Sequence, residues 1–156
     1  MNWALCLSSL VLLVSATPAA ATDYLTSVES EVFQTPGTPR EIAARARICM
    51  SQVLTAGTVN GDVIISSDLD DGIIVARSAL KYGSLPEWEI RSRFTFEARE
   101  GRFRITQTNL ERFNDMAGGW GPIGKWPGSQ WKGAENAFQL AALNVALCVT
   151  SKRQEW

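Results

Sequence analysis

Hydrophobic positions recur with two different periods along this chain. Ile42, Ala46, Cys49, Met50 and Val53 follow one another at three- and four-residue steps, which gathers them on one face of a helix. Thr38-Pro39-Arg40-Glu41 ahead of them offers a capping hydroxyl, a proline at the first helical position and a glutamate that reaches back to the cap. The helix is therefore predicted over about 39–55, with Ala56-Gly57 as its stop. A strand from Val28 to Gln34 precedes it and ends at Thr35-Pro36-Gly37.

From Asp62 the period drops to two. Val63–Asp68 and Ile73–Arg77 read as a hairpin rich in β-branched residues, turning at Asp70-Asp71-Gly72. Next, Trp88, Ile90, Phe94, Phe96 and Ala98 alternate with Glu89, Arg91, Arg93, Thr95 and Glu97, and Phe103 and Ile105 alternate with Arg102, Arg104 and Thr106. A two-residue turn at Glu100-Gly101 sets Ala98 opposite Phe103, Phe96 opposite Ile105 and Glu97 opposite Arg104. Only Arg99 opposite Arg102 brings like charges together.

Residues 114–132 change character. Glycine and proline are dense there, so the stretch is predicted to be irregular, yet it holds Trp120, Trp126 and Trp131. A last helix is predicted over about 134–150, with Phe138, Ala141, Val145 and Cys148 on one face and Leu140, Leu143 and Leu147 beside it, as a well-buried core helix. Lys152 and Arg153 follow where its dipole favours positive charge. The order β-α-β-β-β-β-α predicts an α+β architecture: an antiparallel sheet of about five strands with two helices on one face.

Composition narrows the chemistry. The 156 residues contain no histidine, which removes Ser-His-Asp and Cys-His nucleophile pairs and every His-bearing zinc pattern. Fifteen Lys and Arg against sixteen Asp and Glu leave a net charge of −1, so no global field draws nucleic acid or acidic lipid. The uncharged apolar run Leu5–Ala16, followed by Ala19-Ala20-Ala21, has the form of a secretory signal with an A-x-A cleavage site, although Met1-Asn2-Trp3 carries no basic side chain. Residues 1–21 are expected to be removed, leaving Thr22–Trp156 as one domain without stable membrane insertion. Cys6 departs with the signal, so Cys49 and Cys148 remain in a disulfide-permissive compartment. They are candidates for a bridge if the two helices lie side by side; two buried, reduced cysteines are the alternative.

Three segments resemble a family of bacterial exported domains of unknown function with a TBP-like fold. They are the strand, turn and capped helix Val32-Phe33 … Thr38-Pro39-Arg40-Glu41-Ile42, the acidic turn Asp70-Asp71-Gly72-Ile73-Ile74, and Phe94-x-Phe96-x-Ala98-Arg99-Glu100-Gly101-Arg102-Phe103-Arg104-Ile105. The resemblance spans about 32–112 and implies the fold; the family has no established activity, so it implies no chemistry.

Apparent motifs dissolve on inspection. Gly119-Trp120-Gly121-Pro122-Ile123-Gly124 spells G-x-G-x-x-G, but proline interrupts it and no helix opens behind it. Ser129-Gln130-Trp131-Lys132 spells S-x-x-K without the partner motifs such enzymes need. Asp68-Leu69-Asp70-Asp71-Gly72 lacks EF-hand spacing and reads as a hairpin turn. No cofactor and no metal are expected.

Two surfaces remain. Arg91, Arg93, Arg99, Arg102, Arg104 and Arg112 make 91–112 locally basic and define the sheet's polar face, either simply solvated or open, chiefly at Arg91, Arg93, Arg102 and Arg104, to an anionic or polysaccharide ligand. Trp120, Trp126 and Trp131 either fold back onto the domain or wait as one flat surface for a partner. The function expected is a non-catalytic binding or interaction module of the bacterial envelope, periplasmic or secreted. Its partner would be an envelope protein, a peptide or a glycan and not nucleic acid. A small histidine-free enzyme working through carboxylates, or a purely structural periplasmic domain, is the alternative. Intact mass of the exported protein is expected to place its first residue at or near Thr22, and a mass that retains Met1–Ala21 would overturn the export argument.

Overall fold

The computed structural model describes residues 23–55, 57 and 61–151. The expected signal at 1–21, Ala56 of the helix stop, and Lys152 and Arg153 lie outside the described residues. The elements in order are β1 (Ser27–Glu29), β2 (Phe33–Gln34), α1 (Pro39–Val53), β3 (Ile64–Asp68), β4 (Ile73–Tyr82), β5 (Trp88–Arg99), β6 (Arg102–Asn114), β7 (Gly119–Pro122) and α2 (Trp131–Ser151).

The α1 cap forms as its sequence requires. The Thr38 hydroxyl accepts from the Glu41 amide, and the Thr38 amide donates to the Glu41 carboxylate at 2.9 Å. That backbone donor holds the Glu41 carboxyl below its ordinary pKa. The helix ends at Leu54, whose extended backbone carries an amide bonded to the Met50 carbonyl, slightly before the glycine expected to stop it.

Every strand pairing is antiparallel, in the order β1-β6-β5-β4-β3, with β2 and β7 also pairing β6. The β5–β6 hairpin keeps the register read from its alternation, from Arg99 opposite Arg102 to Phe96 opposite Ile105. The expected single strand at 28–34 is instead two short pieces. Between them Ser30 enters the ladder with its side chain: its hydroxyl accepts the Ile105 amide while its own amide donates to the Ile105 carbonyl. The Trp-rich segment is also not wholly irregular. Gly119–Pro122 pairs with β6 at its outer edge, where proline and glycine are tolerated because only one side of the segment bonds a neighbour. β1, β2 and β7 thus line up along β6 as a fifth strand in three pieces.

Both helices cover one face of this sheet. Ile42, Ala46, Cys49 and Met50 of α1 and Ala142, Val145, Ala146 and Val149 of α2 bury against Ile74, Ala76, Phe94, Phe96, Phe103 and Ile105. A smaller apolar cluster, with Leu25, Ile90, Leu110, Ile123 and Phe138, fills the other end of the layer. Buried Gln107 ties sheet to helix: its amide donates to the Phe138 carbonyl at 2.7 Å, and its oxygen accepts from Ser92. α2 is less enclosed than expected. Leu140, Leu143 and Leu147 are 56%, 41% and 56% exposed, because the helix lies against the sheet on one side only. Among the described residues, no helix is long and apolar enough to cross a membrane.

Cys49 and Cys148 form a disulfide that joins α1 to α2, with Cα atoms 5.8 Å apart and a sequence separation of 99. Replacing both cysteines by alanine is expected to cost about 2–4 kcal/mol, less than the ~4.7 kcal/mol the chain-entropy model assigns to a loop of about 100 residues. Urea unfolding of the two proteins measures this, and an unchanged midpoint would show that the helix pair is held by packing alone.

Candidate functional site

The face of the sheet away from the helices is built by strand alternation. Residues 73–81 of β4 and 89–99 of β5 at odd positions, and Arg102, Arg104, Thr106 and Thr108 of β6, project to this side while their neighbours enter the core. Between Arg91 and Arg93 of β5 the register on β6 jumps from Glu111 to Thr108, so β6 carries one extra residue there. Asn109 in this bulge takes a left-handed backbone with φ of 51°, which asparagine tolerates better than most residues. Beyond the bulge the parity of β6 is reversed: Leu110 and Arg112 turn to the helix side, and Glu111 and Phe113 join the open face.

That reversal decides the ion pairing. Arg91 of β5 meets Glu111 at 2.6 Å, and Arg104 of β6 meets Glu97 at 2.7 Å. The hydrogen bond that Arg104 donates to the Glu97 carboxylate and the charge of that carboxylate, together with the charge of Glu29, raise the pKa of Arg104 further. Arg112, expected on the polar face, is turned by the bulge to the helix side, where it donates to the Ser129 carbonyl at 2.5 Å and lies 4.6 Å from the centre of the Trp88 ring. The other arginines of the open face are arranged differently. Arg77 of β4 stands directly opposite Arg93 of β5, and Arg99 stands opposite Arg102 at the hairpin end. All four are exposed, and among the described residues none has a carboxylate within 4 Å. Directly opposed like charges work against sheet pairing, so these two pairs are electrostatic costs that the fold carries.

The Arg77–Arg93 pair borders a groove of about 390 Å³ whose other walls include Gly57, Ile65, Arg91, Glu111 and Trp120. Gly57 has φ of +71°, and a Cβ there would come within 2.6 Å of the Ala79 Cβ, so only glycine allows this close approach. Trp120, half-buried on β7, lies with its ring centre 4.3 Å from the Arg91 guanidinium and 5.5 Å edge-on from Phe113. Arg91 is held from two sides, by Glu111 and by the indole. Glu89 also lines the groove, so its three arginines face two glutamates, one of which is already paired. A second, smaller depression of about 290 Å³ lies at the hairpin end, lined by Val32, Glu97, Arg99, Arg102 and Arg104.

The structure brings Trp120, Arg91 and Arg93 together and sets Arg102 and Arg104 at the opposite end of the same face. It does not bring the three tryptophans together. The Trp126 ring, 47% exposed, lies over Gly124, where a Cβ would fall 1.5 Å from it, and meets Tyr24 edge-on at 6.2 Å. Trp131 is the first residue of α2, packed on the smaller apolar cluster between Lys125 and Lys132. Arg77 escaped the sequence analysis, since Ile73 and Val75 on the same face disguise the alternation that would have placed it there.

The remaining motifs have structural partners. The Asp68 carboxylate accepts the Asp71 amide in the hairpin turn, and Asp70 pairs with Arg40. The Ser129 hydroxyl donates to the Trp126 carbonyl at 2.8 Å. Among the described residues, no three Cys, Asp or Glu side chains gather as metal donors.

No protein-family model matches the chain, and no curated protein matches its sequence. Two solved structures do match in shape. One is a DUF4468 family protein from Bacteroides ovatus ATCC 8483, with a TM-score of 0.58 at 14% identity over 92% of this chain and 96% of that one. The other is a TBP-like protein from Parabacteroides distasonis ATCC 8503, with a TM-score of 0.51 at 12% identity over 80% of this chain and 81% of that one. The fold is TBP-like. The resemblance drawn from the sequence therefore holds for fold, and at these identities the neighbours say nothing of ligands. The TBP-like sheet of this chain turns a mixed-charge face, not an apolar one, to solvent.

The separate settings of the tryptophans give separate expectations. Trp131→Ala is expected to destabilise by about 3 kcal/mol, the low end for truncating a packed aromatic, and Trp120→Ala and Trp126→Ala by about 1 kcal/mol. Urea unfolding of the three variants checks this, and equal losses would mean that the rings share one environment.

Proposed function

We propose that this protein is an exported, non-catalytic binding module of the bacterial envelope, and that its open sheet face receives an anionic ligand in the groove beside Arg77, Arg93 and Trp120. The single observation that carries this reading is the direct opposition of Arg77 and Arg93 without a carboxylate partner among the described residues. Arg91 and Arg104 on the same face each meet a carboxylate, so Arg77 and Arg93 differ from the arginines beside them in the sheet. Two arginines that line one groove supply planar donors of the kind that match the oxygens of a carboxylate or phosphate. Trp120 supplies a flat apolar wall beside them. Export is supported by the signal-like N-terminus and by the Cys49–Cys148 bond, which suits an oxidising compartment.

The carboxylate-enzyme alternative asks for two free carboxylates facing each other across a cleft. In the groove Glu111 is occupied by Arg91, which leaves Glu89 without that role's second member. Titration of the protein with acetate and with inorganic phosphate, followed by the Trp120 indole and arginine Nε–H resonances, tests the anion reading. Both anions are expected to shift these signals at millimolar concentration, less so in high salt. The Arg77→Gln/Arg93→Gln variant is expected to lose the response, and a wild-type protein whose groove signals do not move would overturn the proposal.

A further inference from the structure

The two unpaired arginine couples lie on one face and on one strand path. Arg77–Arg93 and Arg99–Arg102 are each directly opposed across a ladder, and Arg93 and Arg99 both belong to β5. Six residues of extended chain separate them, about 20 Å at the usual rise of a strand. Between the couples the face is hydroxylated and close to neutral. Thr95 stands opposite Thr106, and Glu97 is spent on Arg104. Glu29, opposite Thr106 on β1, adds a negative charge beside the path.

From this spacing we infer that the ligand is a linear acidic oligosaccharide, carrying carboxylates on some of its sugars, that lies along β5 and is held at both arginine couples. This rests on the anion-binding reading of the groove and extends it to the length and chemistry of the ligand. Each couple takes one carboxylate, and the hydroxyls of Thr95 and Thr106 meet the sugar hydroxyls between. Trp120 offers a flat surface to a ring at the groove end. A nucleic-acid strand fits this pattern poorly. It would place a phosphate at every nucleotide along the span, against a stretch that, among the described residues, holds no arginine without a carboxylate partner and has a glutamate nearby. The ligand implied has sparse charge and many hydroxyls.

Calorimetric titration of the mature protein with a length series of one hexuronic acid, from monomer to hexamer, tests the inference. Affinity is expected to rise at least tenfold from the monomer to the hexamer, as the second couple is engaged at high effective concentration. Arg99→Gln/Arg102→Gln, exposed at a hairpin end, is expected to reduce hexamer affinity to that of the short members and to remove one of the two positions at which the monomer binds. Arg77→Gln/Arg93→Gln is expected to weaken every length. Equal affinity for monomer and hexamer, or a hexamer indifferent to Arg99 and Arg102, would overturn the two-couple ligand and leave the anion groove standing. Phosphate and acetate binding without any uronate binding would overturn the sugar chemistry alone. If a single-stranded oligonucleotide of matched length binds more tightly than the hexamer, the ligand is not a saccharide. Silence of the groove toward every anion removes both proposals together.

Discussion

One extra residue in β6 governs the chemistry of the open face. Without the bulge at Asn109 and Leu110, strand parity would send Glu111 and Phe113 to the helix side and Arg112 to solvent. Glu111 would then enter the layer occupied by Leu25, Ile90 and Phe138, where a carboxylate without partners costs several kcal/mol. With the bulge, Glu111 reaches Arg91, Phe113 reaches Trp120, and Arg112 finds the Ser129 carbonyl and the Trp88 ring. A backbone irregularity of one residue thereby sorts four side chains between two faces.

The two faces then answer to different physics. On the helix side, burial of Phe94, Phe96, Phe103 and Ile105 under α1 and α2 supplies the apolar area that makes folding favourable, and the disulfide joins the helices that supply its cover. Packing on that side leaves the open face no structural duty beyond strand pairing. It can therefore carry opposed arginines whose repulsion amounts to a fraction of a kcal/mol up to about 1 kcal/mol per pair. Such a cost is small beside the burial opposite it.

Much of the architecture is written in local pattern. The capping box at Thr38–Glu41 and the strict alternation through Phe94–Ile105 each determine their elements without help from distant residues, and both appear where the pattern places them. Cys49 and Cys148 meet because two apolar helix faces share one sheet. The elements that escaped pattern analysis depend on neighbours instead. Gly119–Pro122 is a strand only because β6 offers a free edge, and Ser30 breaks the first strand through a bond to Ile105, distant in sequence. The candidate site was legible in part. Arg91, Arg93 and Trp120 stand out by composition, but their convergence depends on the bulge and on β7, and neither has a periodic signature.

The segmented fifth strand has a consequence of another kind. A continuous outer strand would expose a row of free amides and carbonyls to which a second chain can add, the usual route to edge-to-edge aggregation. Along β6 that row is interrupted twice, between β1 and β2 and again before β7, so no stretch beyond four residues is available as a template. The opposite margin, β3, has five residues and its own register shift. On the side of β6 the sheet therefore ends in pieces of two to four residues, and the long, strongly β-forming β5–β6 hairpin at its centre has strands on both flanks.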